Sequence, residues 1–262
     1  MLENNNNKNS KVAIVTGASS GIGYATSLAL SKSGIRVAVG ARRMDRLQEL
    51  EEQIVKNHGE GGRGVEEQEI FIQRKLDVTS KSDCDSFVNT VVRRWGRVDI
   101  LINNAGLMPL SYFKNCKIEE WEQMIDVNIK GVLYCTSAVI PYMVDKKSGH
   151  IVNISSLAGR IVFAGGSVYC AIKHAITAFS EGLRKELSPE YNIRVTCIEP
   201  GAVSTELLET ITDESMSKFI QASKNMERLQ SEDVANAILY AIQTPNHVNV
   251  NEILIRPTAQ ER

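Results

Sequence analysis

Near its start the chain passes from a short apolar run straight into a glycine-rich turn and then into a helical pattern. The apolar run covers 12–15, and Gly17, Gly21 and Gly23 follow it with the spacing GxxxGxG. A strand, a tight turn and a helix in immediate succession are typical of the first unit of a parallel sheet, because parallel strands need a crossover between them. The start of the chain therefore predicts an α/β fold.

The alternation of short apolar runs and helical patterns continues to the end of the chain. Strand-like runs fall at 12–15, 35–39, 70–72, 100–102, 151–154, 195–198 and 253–255. Helical patterns fall at 21–33, 43–57, 81–95, 118–144, 167–187 and 231–243. The runs are mostly apolar, which indicates strands covered on both faces. Right-handed crossovers then predict a single doubly wound Rossmann-type domain with a seven-stranded parallel sheet.

The length of 262 residues suits one large domain and is short for two. We place this domain at 11–257, between tails at 1–10 and 258–262. The Gly-rich, charged segment 58–69 is typical of a surface loop. The segment 204–229 is polar and helix-prone, and two interpretations of it remain open: a mobile substrate lid and a pair of surface helices.

Charge and cysteine usage narrow the class of partner. The net charge is -1, so the charge balance does not favour nucleic acid or an anionic membrane. The five cysteines show no metal-ligand spacing, and we expect no metal site and reduced thiols, as in the cytoplasm. The first ten residues, MLENNNNKNS, lack the basic start and apolar run of a signal peptide, and the apolar runs are too short to predict a membrane anchor.

The glycine turn is a candidate phosphate site. Glycine lets backbone N–H groups approach a pyrophosphate closely, and the helix that follows directs its positive N-terminus at the same point. Serine hydroxyls in the turn would add donors. The predicted contacts are Gly17, Ser19, Ser20, Gly21, Ile22 and Gly23. The alternative is a glycine-rich turn that holds no ligand.

The end of the second strand indicates which dinucleotide would bind. Sheets that bind NAD usually carry an acidic residue there, which accepts from the ribose 2′-OH. This chain has Ala41 near that position, followed by Arg42 and Arg43. Two guanidinium groups suit a 2′-phosphate through charge-assisted bonds, so the sequence favours NADP(H) over NAD(H). The alternative is that one arginine only packs or faces solvent, and Arg43 is the better candidate for that.

Tyr169 and Lys173, four residues apart, form the candidate catalytic pair. Residues i and i+4 share one face of a helix, so we expect the ammonium beside the phenol. A cation ~4 Å away at an effective dielectric of ~20 lowers a phenol pKa of ~10 by roughly three, toward neutrality. The phenol would then serve as a general acid or base. A buried structural Tyr–Lys pair is the alternative.

Several short motifs occur in a fixed order along the chain. They are TGASSGIG at 16–23, NNAG at 103–106, Asn128 within VNIKG, the serines at 155–156, YCAIK at 169–173 and PG at 200–201. In this order and spacing the chain resembles the short-chain dehydrogenase/reductase family over nearly all of 11–257. The resemblance implies an NADP(H)-dependent oxidoreductase that interconverts a carbonyl and an alcohol by hydride transfer.

The resemblance also implies roles for single residues. The active serine of the family lies thirteen residues before the tyrosine, which selects Ser156 over Ser155, and its hydroxyl would hold the substrate carbonyl oxygen. Asn128 would hold a water that links Lys173 to solvent, or else its side chain satisfies backbone groups. The implied cofactor contacts are Asp77 and Val78 at the adenine, Asn104, Ala105 and Gly106 at the adenosine ribose, Pro200, Gly201, Val203 and Thr205 at the nicotinamide, and Tyr169 with Lys173.

Two of these assignments have alternatives in the sequence: Asp77 has a second possible role, and the catalytic pair has a second match to its motif. Asp77 would alternatively cap the helix that starts near 79–80, and both roles are compatible. A second YxxxK pair, Tyr142 and Lys146, has the same spacing as the candidate pair. Ile129 stands thirteen residues before Tyr142, where the family pattern needs a serine, so we interpret Tyr142 as structural.

The substrate is the least determined part of the prediction. The motifs GARRMDRL, IEPGAVSTEL and VNEILIRPTAQ resemble a branch with NADP-dependent 3-hydroxy acid and serine 3-dehydrogenases and clavulanate dehydrogenase. The branch implies a small 3-hydroxy acid, a β-hydroxy amino acid or a related aldehyde or ketone. The candidate substrate contacts are Ser156, Met108, Ala164 and Gly165, with Leu107, Val162 and Phe163 beside them. Arg160 would pair with a substrate carboxylate or lie on the surface.

Three alternatives to this function remain open at this point. One is a broad carbonyl reductase, and another is a catalytically silent scaffold that binds NADP. The third is epimerisation or dehydration of a nucleotide sugar, against which the short segment after the sixth strand counts.

The resemblance further implies a homo-oligomer, a dimer or homotetramer, through 118–144 and 167–187. Small or apolar residues that would face outward there are Val132, Cys135, Val139, Ala175 and Ala178. The same periodicity would describe a core face equally well.

Overall fold

The computed structural model describes residues 10–59 and 70–261. Its strands are β1 (Val12–Thr16), β2 (Arg36–Ala41), β3 (Phe71–Lys75), β4 (Ile100–Asn103), β5 (Gly149–Ile154), β6 (Ile193–Pro200) and β7 (Glu252–Ile255). They form one sheet in the order β3-β2-β1-β4-β5-β6-β7, and neighbouring strands are parallel throughout. The predicted doubly wound sheet of seven parallel strands is confirmed. The predicted loop at 58–69 and the N-terminal tail lie almost wholly outside the described residues.

Eight α-helices fall within the described residues. They are α1 (Gly21–Lys32), α2 (Met44–Gly59), α3 (Lys81–Trp95), α4 (Ile118–Ile125), α5 (Gly131–Lys146), α6 (Ser167–Tyr191), α7 (Ser217–Asn225) and α8 (Ser231–Gln243). The ends of α3 show why the boundaries fall where they do. Ser80 accepts a hydrogen bond from the backbone N–H of Asp83, which caps the N-terminus. Gly96 then takes the left-handed conformation, with φ 72°, that ends the helix.

The sheet separates two apolar cores. Along β1, Val12 and Ile14 contact one core, whereas Ala13 and Val15 contact the other. Successive side chains of a strand point to opposite faces, so a strand covered on both faces must be apolar at every position. The first core is filled by α3, α5 and α6, and the second by α1, α2 and α8.

The predicted helix at 118–144 is interrupted. A π turn, Asp126–Lys130, joins α4 to α5, and the backbone N–H of Gly131 donates to the carbonyl of Asp126. The whole stretch, Ile118–Lys146, is the one span in the described part of the chain that is long and apolar enough to cross a membrane. It packs against α3, β4, β5 and α6, which are the contacts of a core helix.

Three of the residues expected to face outward on this stretch are instead internal. Val132, Cys135 and Val139 are all buried, and Cys135 and Val139 lie in the first core, because this face of α5 covers the sheet. Ala175 and Ala178 on α6 are exposed, as the sequence suggested. The apolar stripe on α5 therefore belongs to the core face, the second interpretation of that periodicity.

The order of the strands places a cleft at one edge of the sheet. β1 pairs with β2 on one side and with β4 on the other, so the connections leave β1 in opposite directions. Ligands of doubly wound sheets bind at such a switch point, outside the carboxyl ends of the strands. The glycine turn, the NNAG motif and the segment after β5 all follow strands at this edge.

The segment 204–229 is a closed loop that stands at the same edge. The backbone N–H of Ser204 donates to the carbonyl of Leu229 over 2.8 Å, and the N–H of Leu229 donates to the carbonyl of Ala202 over 3.0 Å. Between these two ends lie two 3₁₀ turns and α7. We call this segment the lid; both of its ends are fixed beside the carboxyl end of β6.

Candidate active site

A cavity of about 1170 Å³ opens at the carboxyl ends of the strands. Pockets for drug-sized ligands measure ~300–1,000 Å³, so this one has room for a dinucleotide and a small second molecule. The predicted residues that line it are Gly17, Ser19, Ser20, Gly21, Ile22, Arg42, Arg43, Asp77, Val78, Asn104, Ala105, Gly106, Met108, Asn128, Ser156, Tyr169, Lys173, Pro200, Gly201, Val203 and Thr205. Gly23, Ala164 and Gly165 do not line it.

The glycine turn has the conformation that glycine permits. Gly17 and Gly21 have φ of 65° and 57°, in the left-handed region. A Cβ on Gly17 would lie 2.7 Å from the Cα of Ala105, so the turn also packs directly on the NNAG motif. Asn104 secures this contact, because its side-chain amide donates to the carbonyls of Thr16 and Gly17, each over 3.0 Å.

Gly23, predicted as a cofactor contact, does not line the cavity in this structure. A Cβ on Gly23 would collide with the side-chain amide of Asn104, so glycine serves the close approach of α1 to the end of β4. The third glycine of such turns commonly has this packing function. The side chain of Asn104 is likewise directed at the turn, whereas the residue as a whole still borders the cavity.

The N-terminus of α1 is suited to an anion. Ser20 is its N-cap, but the Ser20 side chain makes no capping hydrogen bond, and the first turn holds no acidic residue. The positive end of the helix borders the cavity, and the anion now beside it is the Glu206 carboxylate, which hydrogen-bonds the Ser20 side chain. A helix N-terminus of this kind is an arrangement that binds phosphate. This fits the pyrophosphate of a dinucleotide.

Arg43, and not Arg42, is the arginine joined to the glycine turn. Its guanidinium donates to the hydroxyls of Ser19 and Ser20 over 3.1 and 2.8 Å, and to a Glu206 carboxylate oxygen over 2.7 Å. The sequence suggested the opposite division, with Arg43 the more peripheral. That expectation is wrong because the lid returns to this point of the chain and brings Glu206 within reach.

Asp77 has a structural role, but it is not the helix cap that the sequence offered as an alternative. Its carboxylate accepts from the backbone N–H and the hydroxyl of Thr79, over 3.0 and 2.8 Å. These hydrogen bonds lower the pKa of Asp77. The cap of α3 is Ser80 itself, so Asp77 shapes the turn before the helix and still borders the cavity.

Ser156, Tyr169 and Lys173 meet in the middle of the cavity. The Ser156 hydroxyl hydrogen-bonds the Tyr169 side chain and also accepts from the backbone N–H of Ala158 over 3.1 Å. The Lys173 ammonium donates to the carbonyl of Ile154 over 2.8 Å and lies 5.7 Å from the centre of the Tyr169 ring. The tyrosine is 5% exposed and the lysine 8%. The structure brings together the three side chains that the sequence selected.

The predicted lowering of the Tyr169 pKa is wrong when only the groups of the protein act on it. Burial raises the pKa of Tyr169 to about 12, against a smaller lowering by the Ser156 hydrogen bond. Burial also lowers the pKa of Lys173 to about 8. The sequence argument included the attraction between the two groups and left out desolvation, which disfavours the charged form of each.

Asn128 uses its side chain on the backbone. Its amide oxygen accepts from the N–H of Leu107 over 2.9 Å, and its amide nitrogen donates to the carbonyl of Leu107 over 2.8 Å. This is the alternative that the sequence left open. Asn128 lies in the π turn, where the i→i+5 pattern leaves a backbone carbonyl without its usual helical partner. A water relay would therefore use the backbone of this turn.

Arg160 does not line the cavity and lies exposed at the surface, which is the second of the two interpretations that the sequence left open. Its guanidinium donates to both carboxylate oxygens of the buried Glu199 over 2.9 Å, and it also pairs with Glu252. Thr177 donates to the same Glu199 carboxylate over 3.2 Å. The arginine thus compensates a buried charge beneath the site, where removing either partner would be costly.

Ala164 and Gly165, predicted to contact substrate, do not line the cavity: Ala164 is exposed, and Gly165 packs against the lid. Gly165 has φ 83°, and a Cβ there would lie 2.6 Å from the Met216 sulfur. This turn directs Phe163 into the cavity, where its ring stacks on Phe219 of the lid, with centroids 5.5 Å apart and planes at 7°. Val162 and Phe163 of the predicted segment line the cavity, whereas the two residues selected as substrate contacts do not.

Hydrogen bonds fasten the lid to the segment after β4. Thr210 accepts from the backbone N–H of Met108 over 2.9 Å. Asp213 accepts from the Ser111 hydroxyl and the Asn115 amide, each over 2.6 Å. The Ser111 hydrogen bond is the largest of several that hold the pKa of Asp213 well below its usual range. These contacts close one side of the cavity.

Several cavity residues escaped the sequence analysis. The C-terminal segment supplies Gln260, whose side chain accepts from the backbone N–H of Ala202 over 2.9 Å, so the expected tail from 258 packs on the PG motif. Another set lies on α4 and its continuation, at Glu120, Gln123 and Val127. Their spacing of three and four places them on the helix face that also carries Asn128, and this spacing was the available signal.

Comparison with known proteins agrees with the geometry. The family model described as short chain dehydrogenase matches residues 11–216. A protein named as an uncharacterised oxidoreductase of Staphylococcus saprophyticus is 46% identical over 257 residues, which cover 97% of this chain and 99% of that protein. A glycine betaine reductase of Emericella nidulans is 41% identical over 247 residues, 94% of this chain but only 19% of that protein.

Solved structures give the same fold. A serine dehydrogenase in a closed form with NADP⁺ superimposes with a TM-score of 0.85 at 35% identity, over 96% of each chain.

Proposed function

The chain belongs to the short-chain dehydrogenase family of oxidoreductases, and on this basis we propose that it is an NADP(H)-dependent enzyme that interconverts a carbonyl compound and its alcohol. The observation that supports this most directly is the single cavity that holds Ser156, Tyr169 and Lys173 at its centre and the glycine turn with Arg43 at one end. A silent scaffold would not need the three central side chains.

We propose that the cofactor lies across the carboxyl edge of the sheet. The N-terminus of α1 would hold the pyrophosphate, and Arg43 with Ser19 and Ser20 would hold the 2′-phosphate. Arg43 pairs with a Glu206 carboxylate oxygen in this structure, and the 2′-phosphate would replace that carboxylate as its partner. The serine dehydrogenase with NADP⁺ supports the same choice of cofactor.

The protein groups would work as follows in the direction of reduction. Bound NADPH supplies the hydride that the carbonyl carbon receives. Ser156 donates a hydrogen bond to the carbonyl oxygen and so stabilises the negative charge that develops on it. Tyr169, neutral over the whole physiological range because its pKa is about 12, donates its proton to that oxygen. Lys173, as an ammonium, would stabilise the tyrosinate that is left.

The candidate substrates are those expected from the sequence, a small 3-hydroxy acid, a β-hydroxy amino acid or a related aldehyde or ketone. The names of two similar proteins, a serine dehydrogenase and a glycine betaine reductase, support a small polar substrate with a charged nitrogen. A broad carbonyl reductase remains the second candidate, supported by the apolar walls that Leu207, Leu208 and Phe219 give to the cavity.

The test of the function is NADPH consumption by the full chain with a panel of aldehydes, diones, 3-oxo acids and β-hydroxy amino acids. We expect turnover of at least one class, with NADPH preferred to NADH. No turnover of any class, with NADPH still bound, would favour the silent scaffold.

Cofactor preference is tested by a matched set of arginine variants. Arg43→Ala should lower the NADPH-to-NADH ratio of kcat/KM about tenfold or more, because a charge-assisted contact to the 2′-phosphate is lost. Arg42→Ala should lower it less, since Arg42 is not joined to the turn. Arg46→Ala is the control, because Arg46 pairs with Glu49 on α2 and does not line the cavity. An unchanged ratio in Arg43→Ala would place the 2′-phosphate elsewhere.

We also propose a homo-oligomer in the cytoplasm, a dimer or tetramer. The exposed Leu133 on α5 and the exposed Ala175 and Ala178 on α6 support an interface through these helices. Sedimentation at micromolar concentration tests this, and a monomer would contradict it.

A further inference from the structure

The two ends of the cavity differ in charge. Among the described residues that line it, the cationic side chains are Arg42, Arg43 and Lys173. Both arginines lie at the end of the glycine turn, and the Lys173 ammonium donates to the carbonyl of Ile154. Arg160 is held by Glu199 outside the cavity. The lid end of the cavity therefore offers no unengaged cation, in the part of the chain described, to bind a substrate carboxylate.

That same end carries a carboxylate. Glu120 lines the cavity on the face of α4 that continues through Gln123 and Val127. One oxygen of Glu120 accepts from the hydroxyl of Thr212 in the lid, and it lies 3.8 Å from the Lys117 ammonium. The other oxygen is buried and has no hydrogen-bond partner among the described residues.

The Glu120 carboxylate borders the cavity and is only partly compensated, because one of its oxygens has no donor in the described part of the chain. Such a buried oxygen is costly, and a positive charge nearby in the cavity offsets part of that cost. A ligand carboxylate at the same place would be repelled. Other walls of the same cavity are apolar, and the stacked rings of Phe163 and Phe219 form one of them. Aromatic and apolar walls beside a carboxylate suit an alkylated ammonium group.

We propose that the substrate is an aldehyde or ketone that carries a positively charged alkylated nitrogen, and that Glu120 binds this nitrogen; the inference rests on the proposed function. In the reaction the carbonyl carbon gains the hydride of NADPH, the carbonyl oxygen gains the Tyr169 proton, and the ammonium group is unchanged. Of the classes that the sequence left open, a simple 3-oxo acid is the one this cavity disfavours.

The test compares two aldehydes of the same shape and different charge. Trimethylammonioacetaldehyde is the cation, and 3,3-dimethylbutanal has carbon in place of the nitrogen. We expect kcat/KM with NADPH to be about tenfold higher for the cation, the effect of one partly screened charge pair. The anion 4-oxobutanoate should be the poorest of the three. The cation-to-neutral ratio should fall as salt is added, because salt screens the pair.

Two variants connect this ratio to one carboxylate. Glu120→Gln should lower the cation-to-neutral ratio about tenfold while keeping an oxygen to accept from Thr212. Glu119→Gln is the matched control, because Glu119 is exposed on the other side of α4 and does not line the cavity. It should leave the ratio unchanged.

The outcomes separate this inference from the function on which it rests. A wild-type ratio of one or less, or equal ratios in the Glu120 and Glu119 variants, would overturn the role of Glu120 while reduction of the neutral aldehyde still supports the oxidoreductase. If the folded protein binds NADPH and reduces none of the three aldehydes, the inference fails, and the proposed function fails with it only if the whole panel of carbonyl and alcohol classes is also inactive.

Discussion

Two tyrosine–lysine pairs with identical spacing lie at opposite edges of the sheet. Tyr169 and Lys173 are buried in the central cavity at the carboxyl ends of the strands. Tyr142 instead donates to the side chain of Asn89 at the surface, and Lys146 donates to Asp99, just before β4. The spacing of four places each pair on one helix face in both cases. The two helix faces contact different parts of the molecule, one the cavity and the other the surface. The same sequence motif is therefore suited to catalysis only where the fold places it in the cavity.

The largest expected effect is the loss of turnover when the phenol of the buried pair is removed. Tyr169→Phe should lower kcat about 100- to 10,000-fold, the range for loss of a general acid, with NADPH affinity changed only slightly. Tyr142→Phe is the control and should retain full turnover, because its hydroxyl contacts only Asn89. Both are checked by steady-state assay and by NADPH titration. Comparable turnover in the two variants would remove Tyr169 from the mechanism.

The pH dependence of the reaction distinguishes the two lysines. The Lys173 pKa is about 8, so its ammonium is present below that value and is lost as the pH rises through it. We expect kcat/KM for reduction to decline above about pH 8. Lys173→Arg, which stays charged, should flatten this decline, and Lys146→Met should leave it in place. A wild-type profile that stays level to pH 10 would contradict the assignment.

The second lysine is expected to matter for stability. Asp99 is buried, and although burial opposes it, hydrogen bonds from Arg97 and Lys146 keep its pKa below the usual value. Lys146→Met should lower the free energy of unfolding by about 2 kcal/mol, the value of a hydrogen bond to a charged group. Lys185→Met, which removes an exposed pair with Glu181, should cost about 0.5 kcal/mol or less.

The sign of the pH effect on stability follows from the lowered pKa of Asp99. The unfolded chain takes up this proton at a higher pH than the folded chain does, so the stabilisation is present above the unfolded pKa and is lost as the pH falls through the folded one. Lys146→Met should weaken this loss. Denaturant unfolding at neutral and acid pH measures both effects, and equal stability of the two lysine variants would refute the role of Lys146.

The smallest effect is expected at the surface tyrosine. Tyr142→Phe removes one exposed hydrogen bond to Asn89 and should change the free energy of unfolding by about 0.5 kcal/mol. Thermal unfolding of the variant beside the wild type measures it. A change of several kcal/mol would show that the surface pair has a structural importance that the present contacts do not explain.

The parts of the fold that sequence predicted well depend on local periodicity. The central strand β1 is buried along its whole length and is almost wholly apolar because it is covered on both faces, and the helices begin and end near their caps. Ser156, Tyr169 and Lys173 were found because their roles require fixed distances along the chain. Ser156 and Tyr169 stand at the two ends of a single loop after β5, so thirteen residues are enough to set their relative position.

The parts that sequence missed depend on residues distant in the chain. Arg160 pairs with Glu199 and Glu252, which lie 39 and 92 residues away, and this removed it from the cavity. Arg43 meets Glu206 across 163 residues. The raised pKa of Tyr169 has the same origin, since burial comes from packing and not from the spacing of the lysine. Long-range contacts of this kind leave no periodic signal.

The fixed ends of the lid have a consequence for how its length and sequence can change among related proteins. Because Ala202, Ser204 and Leu229 join over a few ångströms, the whole stretch between them departs from and returns to one point of the scaffold. Its length or composition can change without shifting a strand, since lengthening a closed loop adds little entropic cost. The lid can therefore be replaced to alter substrate specificity, while the sheet and the catalytic residues keep their positions.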